Sequence, residues 1–192
     1  ISSITSVSVV VILLLTGMFS QLIKICGLSG GFVWLANSFG IRGGLFVAFT
    51  FLATCIVSTA TGSSIGTMFI AFPIFYPAGL ILGANPMWMA GCIVSGAVFG
   101  DNLAPISDTT IASSSTQQFH DGHPADIGGV VSSRVQYSAV AGLITIVFFA
   151  IVGGIGGTYQ GGEIDAVSNP TTLVMLLPVV VMLVVSTKTR NI

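Results

Sequence analysis

Two short polar stretches interrupt an otherwise apolar sequence, and their side chains offer only oxygen ligands. Residues 61–67 contain Gly, Ser and Thr, and residues 100–110 contain two acids among Ser, Thr and Pro. Carboxylate, hydroxyl and backbone carbonyl oxygens suit an alkali or alkaline-earth cation rather than zinc or copper. The candidate ligands of a cation and a proton are Asp101, Asp108, Ser63, Ser64, Thr67, Ser107, Thr109 and Thr110.

A buried acid in such a stretch can bind two different partners. Desolvation disfavours the charged form of a carboxylate, so a buried Asp binds a proton more readily than an exposed one. The same oxygens can instead hold a cation, but not both at once. Competition between a proton and a cation for Asp101 or Asp108 is therefore the minimal chemistry of cation/proton exchange.

Each of these polar residues also has a purely structural interpretation. Ser63 and Ser64 can bond to nearby helical carbonyls, as hydroxyl side chains often do in membrane helices. Asp108 can cap the N-terminus of a helix. Asp101 can belong to a loop if the preceding apolar run ends at the water boundary, and Arg134 is the one basic residue that follows closely enough to pair with it.

The composition predicts that the chain lies in a membrane. Of its 192 residues, 53% are hydrophobic and only 6% are charged, whereas about 25% of residues are charged in an ordinary soluble domain. So few charges cannot cover a water-exposed surface. The net charge of −1 and the lack of a basic stripe exclude nucleic acid as a partner. The three cysteines show no metal-binding spacing and are expected to be inert.

Apolar runs of the right length predict several membrane-spanning helices, since one crossing needs about 20 residues. The stretch 27–40, which contains Trp34, is too short to span and suits an interfacial helix. The predicted spans are Ile4–Ile23, two within Gly43–Leu82, the shorter run Pro86–Gly100, Val135–Gly157 and Thr171–Ser186. The expected fold is an all-α membrane protein, a polytopic helical bundle with interrupted (discontinuous) transmembrane helices.

The first and last residues suggest that this is one part of a longer chain. Residue 1 is Ile, and an apolar run stops abruptly before Ile192. Residues 1–192 are therefore expected to form a single transmembrane transporter domain that is incomplete.

Basic residues predict the orientation, because they favour the cytoplasmic side. Lys24 and Arg42 flank one loop, and Arg134 ends another. Both loops are accordingly predicted to be cytoplasmic, with residues 158–169 outside. The segment between Arg42 and Arg134 must then cross the membrane an even number of times.

The two polar stretches predict breaks in helices at membrane depth. Unwound backbone in hydrocarbon leaves amides and carbonyls unpaired at several kcal/mol each, so it survives only inside protein or along a cavity. Secondary transporters build midplane ion sites from facing interrupted helices. We expect residues 61–67 and 101–108 to be non-helical and close together near mid-membrane.

The order of these stretches resembles the NhaC family of sodium/proton antiporters. The matching segments are residues 62–67, residues 95–101, which end in Gly-Asp, and residues 105–111, which begin Pro-Ile-Ser-Asp-Thr-Thr. The likeness is close over residues 55–115 and extends elsewhere only by hydropathy. Ile65 stands where the family usually has Trp, and Ala104 where Ser commonly precedes the Pro; both acids are kept.

The resemblance implies a multi-pass antiporter of the plasma membrane, about twice this length or more, with pseudo-symmetric halves. It is not an enzyme and needs no cofactor; its partners are the lipid bilayer, a transported sodium ion or similar monovalent cation, and the proton. A homo-oligomer is compatible with this assignment.

Three other functions are weighed against sodium/proton exchange. Some relatives move organic acids, so a sodium- or proton-coupled carrier of organic acids or amino acids is the main alternative; the lack of Lys or Arg within the central runs favours a cation. An intramembrane aspartyl protease needs its two acids on separate helices, whereas Asp101 and Asp108 are only seven residues apart. A scaffold without transport activity leaves the two acids unexplained.

Overall fold

A computed structural model describes residues 2–118, 120, 122–123, 125–158, 168–175, 177 and 181. The described chain consists of helices and their connections. The helices are α1 (Ser2–Ile25), α2 (Leu28–Ser38), α3 (Gly44–Thr61), α4 (Ser64–Ile81), α5 (Pro86–Leu103), α6 (Asp108–Thr116), α7 (Ile127–Val152) and a 3-10 helix, Pro170–Met175.

The helices confirm an all-α membrane protein with an interrupted span. Helices α3, α4 and α7 are each long and apolar enough to cross a membrane, and α5 and α6, which meet at a 43° bend, have the length and apolar composition of one further span when taken together. The short helix α2 packs its apolar face on α4, where the rings of Phe32 and Phe75 lie 4.8 Å apart. The predicted span Thr171–Ser186 lies largely outside the described residues.

Backbone hydrogen bonds bring four helix ends together. The amide of Gly43 donates to Leu82 O at 2.9 Å, and the amide of Asn85 donates to Gly153 O at 3.0 Å. The starts of α3 and α5 therefore lie beside the ends of α4 and α7. We call this the Gly43 end of the bundle. Helices α3 and α5 run away from it in parallel, and α4 and α7 return to it.

This arrangement shows that the predicted orientation is wrong. Helices α3, α4 and the α5–α6 pair lead from Arg42 to Ile127, an odd number of passes, and Gly153 returns to the side of Arg42. The error came from counting Arg134 as a loop residue. Asp126 caps α7 by accepting a hydrogen bond from the Gly129 amide at 3.1 Å, so α7 begins two turns before Arg134.

Small residues let α3 and α5 approach closely. Gly96 and Gly100 of α5 face α3 so tightly that a Cβ atom on Gly100 would lie 2.8 Å from Ser58 Cβ. Thr54 and Ser58 on α3 are fully buried in this contact. Such close packing of small and hydroxyl residues is typical of helix pairs in membranes. It fixes the far end of α5, where Asp101 lies.

Candidate functional site

The first break is a tight turn between two helices. Helix α3 ends at Thr61, Gly62 adopts the left-handed conformation with φ of 63°, and the side chain of Ser63 accepts a hydrogen bond from the Gly66 amide at 3.2 Å. One residue thus ends α3 and the next caps α4. The non-helical part is only residues 62–63, so the prediction for 61–67 was too wide.

The second break separates α5 from α6. It covers residues 104–107, contains Pro105, and ends at Ser107, whose hydroxyl accepts a hydrogen bond from the Thr109 amide at 3.3 Å. The prediction of a non-helical segment 101–108 is therefore wrong at both ends. Asp101 lies in the last turn of α5, and Asp108 is the first residue of α6. The N-cap is Ser107 and not Asp108.

The two breaks touch, which confirms that they lie close together. A Cβ atom placed on Gly62 would lie 2.8 Å from Ile106 Cγ1 and 3.2 Å from the Ser107 amide nitrogen. At 1.5 Å per residue, the 18-residue helix α3 places this contact ~27 Å from the Gly43 end, whereas the 26-residue helix α7 extends ~39 Å. Counted from the Gly43 end, the breaks thus lie about two thirds of the way along α7, and their place near mid-membrane stays a prediction.

Replacing Gly62 by alanine tests this contact. We expect Gly62→Ala to destabilise the protein by about 1–3 kcal/mol, because the Cβ atom meets both an unfavourable positive φ and the Ile106 side chain. The matched control is Gly40→Ala, since Gly40 has φ of 67° with nothing within 4 Å of its Cβ position. Thermal unfolding in detergent measures both. Equal losses in the two variants would show that only backbone strain matters and that the breaks do not press together.

Two oxygen atoms at the second break are buried and have no hydrogen-bond partner. They are Asp101 Oδ1, in the last turn of α5, and Thr110 Oγ1, in the first turn of α6. The whole side chain of Thr110 is buried, and Asp101 is half-buried. Buried polar atoms are almost always paired. A third unpaired oxygen, Thr50 Oγ1 on α3, lies away from the breaks, so it is their place beside the break that makes Asp101 and Thr110 candidate ligands. By contrast, Asp108 is exposed.

Hydroxyl groups on α3 hold the end of α5 beside Asp101. Ser58 Oγ donates to Ala97 O. Thr59 Oγ1 donates to Cys55 O of its own helix at 2.8 Å and also lies 3.1 Å from Gly100 O. The contacts with Ala97 O and Gly100 O cross between two helices and fix the turn of α5 that carries the acid. The sequence analysis did not select Ser58 or Thr59. Their position just before the first polar stretch was the available signal.

The remaining predicted hydroxyls differ in burial and in partners. Thr67 is fully buried, and its hydroxyl donates to Ser63 O at 2.8 Å and lies 3.1 Å from Thr61 Oγ1, so it closes the α3–α4 turn. Ser107 is buried as the cap of α6. Ser64 is half-buried, and Thr109 is exposed.

Arg134 does not pair with Asp101 in the part of the chain that the structure describes. Its guanidinium donates instead to Ser113 Oγ on α6 at 2.6 Å. Phe99 and Leu103 line the cleft between α5 and α7. Asp101 is two residues from each of them and so projects from another face of α5.

One family model matches most of the chain. The description of the matching family model is the Na+/H+ antiporter family, and the match covers residues 4–154. No solved structure matches the chain.

Several characterised or named proteins are similar to the chain over shorter lengths. The malate-2H(+)/Na(+)-lactate antiporter of Bacillus subtilis is 35% identical over 125 residues, which are 65% of this chain and 25% of that protein. The Na(+)/H(+) antiporter NhaC of Alkalihalophilus pseudofirmus is 43% identical over 65 residues, 34% of this chain and 14% of that protein. The arginine/ornithine antiporter ArcD of Halobacterium salinarum is 30% identical over 112 residues, 57% of this chain and 21% of that protein. The aligned part is thus a quarter or less of each relative.

The family match covers most of the chain, and the described residues form several helices that are long and apolar enough to cross a membrane. The chain is a multi-pass membrane protein and belongs to the Na+/H+ antiporter family.

Proposed function

We propose that the chain forms part of a secondary transporter that exchanges sodium, or a similar monovalent cation, for protons across the plasma membrane. The observation that carries the proposal is the unpaired, buried Asp101 Oδ1 beside two helix breaks that touch. Family membership and the similarity to NhaC support it.

Asp101 is the exchange acid in this proposal. Its carboxylate holds a proton in one half of the cycle and helps to coordinate the cation in the other, and the same oxygen atoms cannot do both at once. Thr110 Oγ1, unpaired on the other side of the break, supplies a neutral oxygen to the cation. Among the described residues no cluster of three His, Cys, Asp or Glu side chains could hold a metal ion, and a weakly held alkali cation does not need one.

Asp108 has a different role. It is exposed at the first turn of α6, where a negative charge is favourable beside the positive end of the helix dipole. In this proposal Asp108 stabilises the start of α6, and Asp101 carries the transported ion.

Vesicles that contain the full-length protein test the proposed function. An imposed sodium gradient should drive protons in the opposite direction, and the rate of proton movement should reach a maximum as the sodium concentration increases. Proton movement that is independent of any monovalent cation would contradict the proposal.

A carrier of organic acids or amino acids is the second candidate. Relatives named as malate/lactate and arginine/ornithine antiporters support it, as does Arg134, which lies within α7 and is half-buried, and not in a loop. In the same vesicles, this function requires that proton movement depend on an added carboxylate or amino acid as well as on sodium.

Two neighbouring threonines test the ligand assignment. We expect Thr110→Val to raise the sodium concentration for half-maximal exchange by about fivefold, because it removes one neutral oxygen and keeps the shape. The maximal rate should remain. Thr109→Val is the matched control, since the Thr109 side chain is exposed and its hydroxyl lies 2.8 Å from Ser107 Oγ. A larger effect of Thr109→Val than of Thr110→Val would contradict the assignment.

A further inference from the structure

Helix α6 is a short element with few contacts of its own. It has nine residues, of which only Thr110 and Ser114 are buried, and it is joined to α5 through residues 104–107 at an angle of 43°. Something outside α6 must therefore hold Thr110 in place beside the break. Thr110 lies in the first turn of α6, and Ser113 lies one turn later on the same side.

One hydroxyl group of α6 reaches out to a neighbouring helix. Ser114, Ser115 and Thr116 each donate to a backbone carbonyl of α6 itself. Ser113 Oγ instead accepts a hydrogen bond from Arg134 Nη2 on α7, at 2.6 Å. A hydrogen bond from a charged donor is about twice as strong as one between neutral groups, so this contact is well suited to fix a short helix.

We propose that Arg134 is a positioning residue of the ion site: through Ser113 it holds α6, and with it Thr110 Oγ1, at the break that follows the turn of Asp101. This inference rests on the proposed function of Asp101 and Thr110. Arg134 acts through α6 and not by an ion pair with Asp101, because in the described part of the chain its guanidinium donates to Ser113 and Asp101 projects from another face of α5.

Transport by the full-length protein tests the bond. We expect Arg134→Met and Ser113→Ala each to raise the sodium concentration for half-maximal proton flux by about tenfold with little change in the maximal rate. Because both remove the same bond, the double variant should be no worse than either single one. Arg134→Lys, which keeps a charged donor, should recover most of the affinity. Additive effects, or a Ser113→Ala variant with the affinity of the wild type, would overturn the proposal.

A second measurement does not depend on transport. In a Thr110→Cys variant, the new thiol should react slowly with a water-soluble maleimide, and adding Arg134→Met should speed the reaction several-fold, because α6 is released. Mass spectrometry of the peptide that contains residue 110 separates this signal from the native cysteines.

The two measurements separate the proposals. Lack of cation-dependent flux in the wild-type protein contradicts the proposed function. Faster labelling in the Arg134→Met background still supports the role of the Arg134–Ser113 bond in holding α6 against α7. If Arg134→Met leaves the labelling rate of Thr110→Cys unchanged, the positioning role is overturned, even when the wild-type protein exchanges sodium for protons.

Discussion

Replacing Asp101 by asparagine is expected to reduce cation/proton exchange to the background of empty vesicles while the protein still inserts into the membrane. The amide keeps the shape of the side chain, but it can neither release a proton nor neutralise a cation. Both half-reactions therefore fail together. Proton flux in inverted vesicles, measured against sodium concentration and pH, provides the test.

Asp108→Asn is the matched control for this result. It makes the same chemical change seven residues away, but at an exposed side chain in the first turn of α6. Loss of the favourable charge at the helix N-terminus should alter the apparent sodium affinity by no more than about fivefold. Exchange at the wild-type rate in Asp101→Asn, or complete loss in Asp108→Asn alone, would mean that the wrong acid has been chosen.

The sequence offered both acids as ion ligands and marked Asp108 as the one that could instead serve the start of a helix; the structure places the two acids in different surroundings. Asp101 is flanked by Gly100 and Asn102, whereas Asp108 is flanked by Ser107 and Thr109, a context that also suits the start of a helix. They also differ in three dimensions. Asp101 lies on a helix that small residues press against α3, whereas Asp108 lies where the chain leaves the break and is exposed within the described part of the chain. Whether either acid carries the ion stays a prediction.

The breaks themselves were predictable, but their lengths were not. Gly62 and Pro105 are residues that end helices, and both lie in the breaks. The neighbouring Ser63 and Ser107 each cap the following helix, so helical structure resumes at once. The sequence analysis interpreted the hydroxyl residues as possible cation ligands. In the structure, Ser63 and Ser107 are N-caps, and this role explains why Ser occurs in each polar stretch.

The prediction of the orientation was wrong for a related reason. A hydropathy boundary put the start of the last central span at Val135, which left Arg134 in a loop. Residues 127–134, which mix Gly, Ser and Arg with Ile and Val, are nevertheless helical, because Asp126 provides an N-cap and Arg134 donates a hydrogen bond to Ser113 of α6. Hydropathy alone cannot show that such a segment continues a helix when the helix it contacts, here α6, is itself rich in Ser and Thr.

Gly100→Ala is expected to impair both folding and exchange, even though it adds only one methyl group. The added Cβ atom would overlap Cys55 O and lie 2.8 Å from Ser58 Cβ. Cys55 O belongs to the backbone of α3, so no side-chain rotation can relieve the overlap, and α5 must move away. Overpacking of this kind costs about 1–3 kcal/mol.

The consequence for exchange follows from the position of Gly100 next to Asp101. Displacing α5 weakens the bonds from Ser58 and Thr59 that hold this turn, and so it moves the acid away from the break. Gly91→Ala is the matched control on the same helix, because nothing lies within 4 Å of its Cβ position. That variant should be neutral or more stable by about 0.5–1 kcal/mol, as expected for Gly to Ala in a helix. Thermal unfolding in detergent and sodium-driven proton flux should both distinguish the two. Equal stability and equal flux in Gly100→Ala and Gly91→Ala would show that close packing of α5 on α3 does not position Asp101.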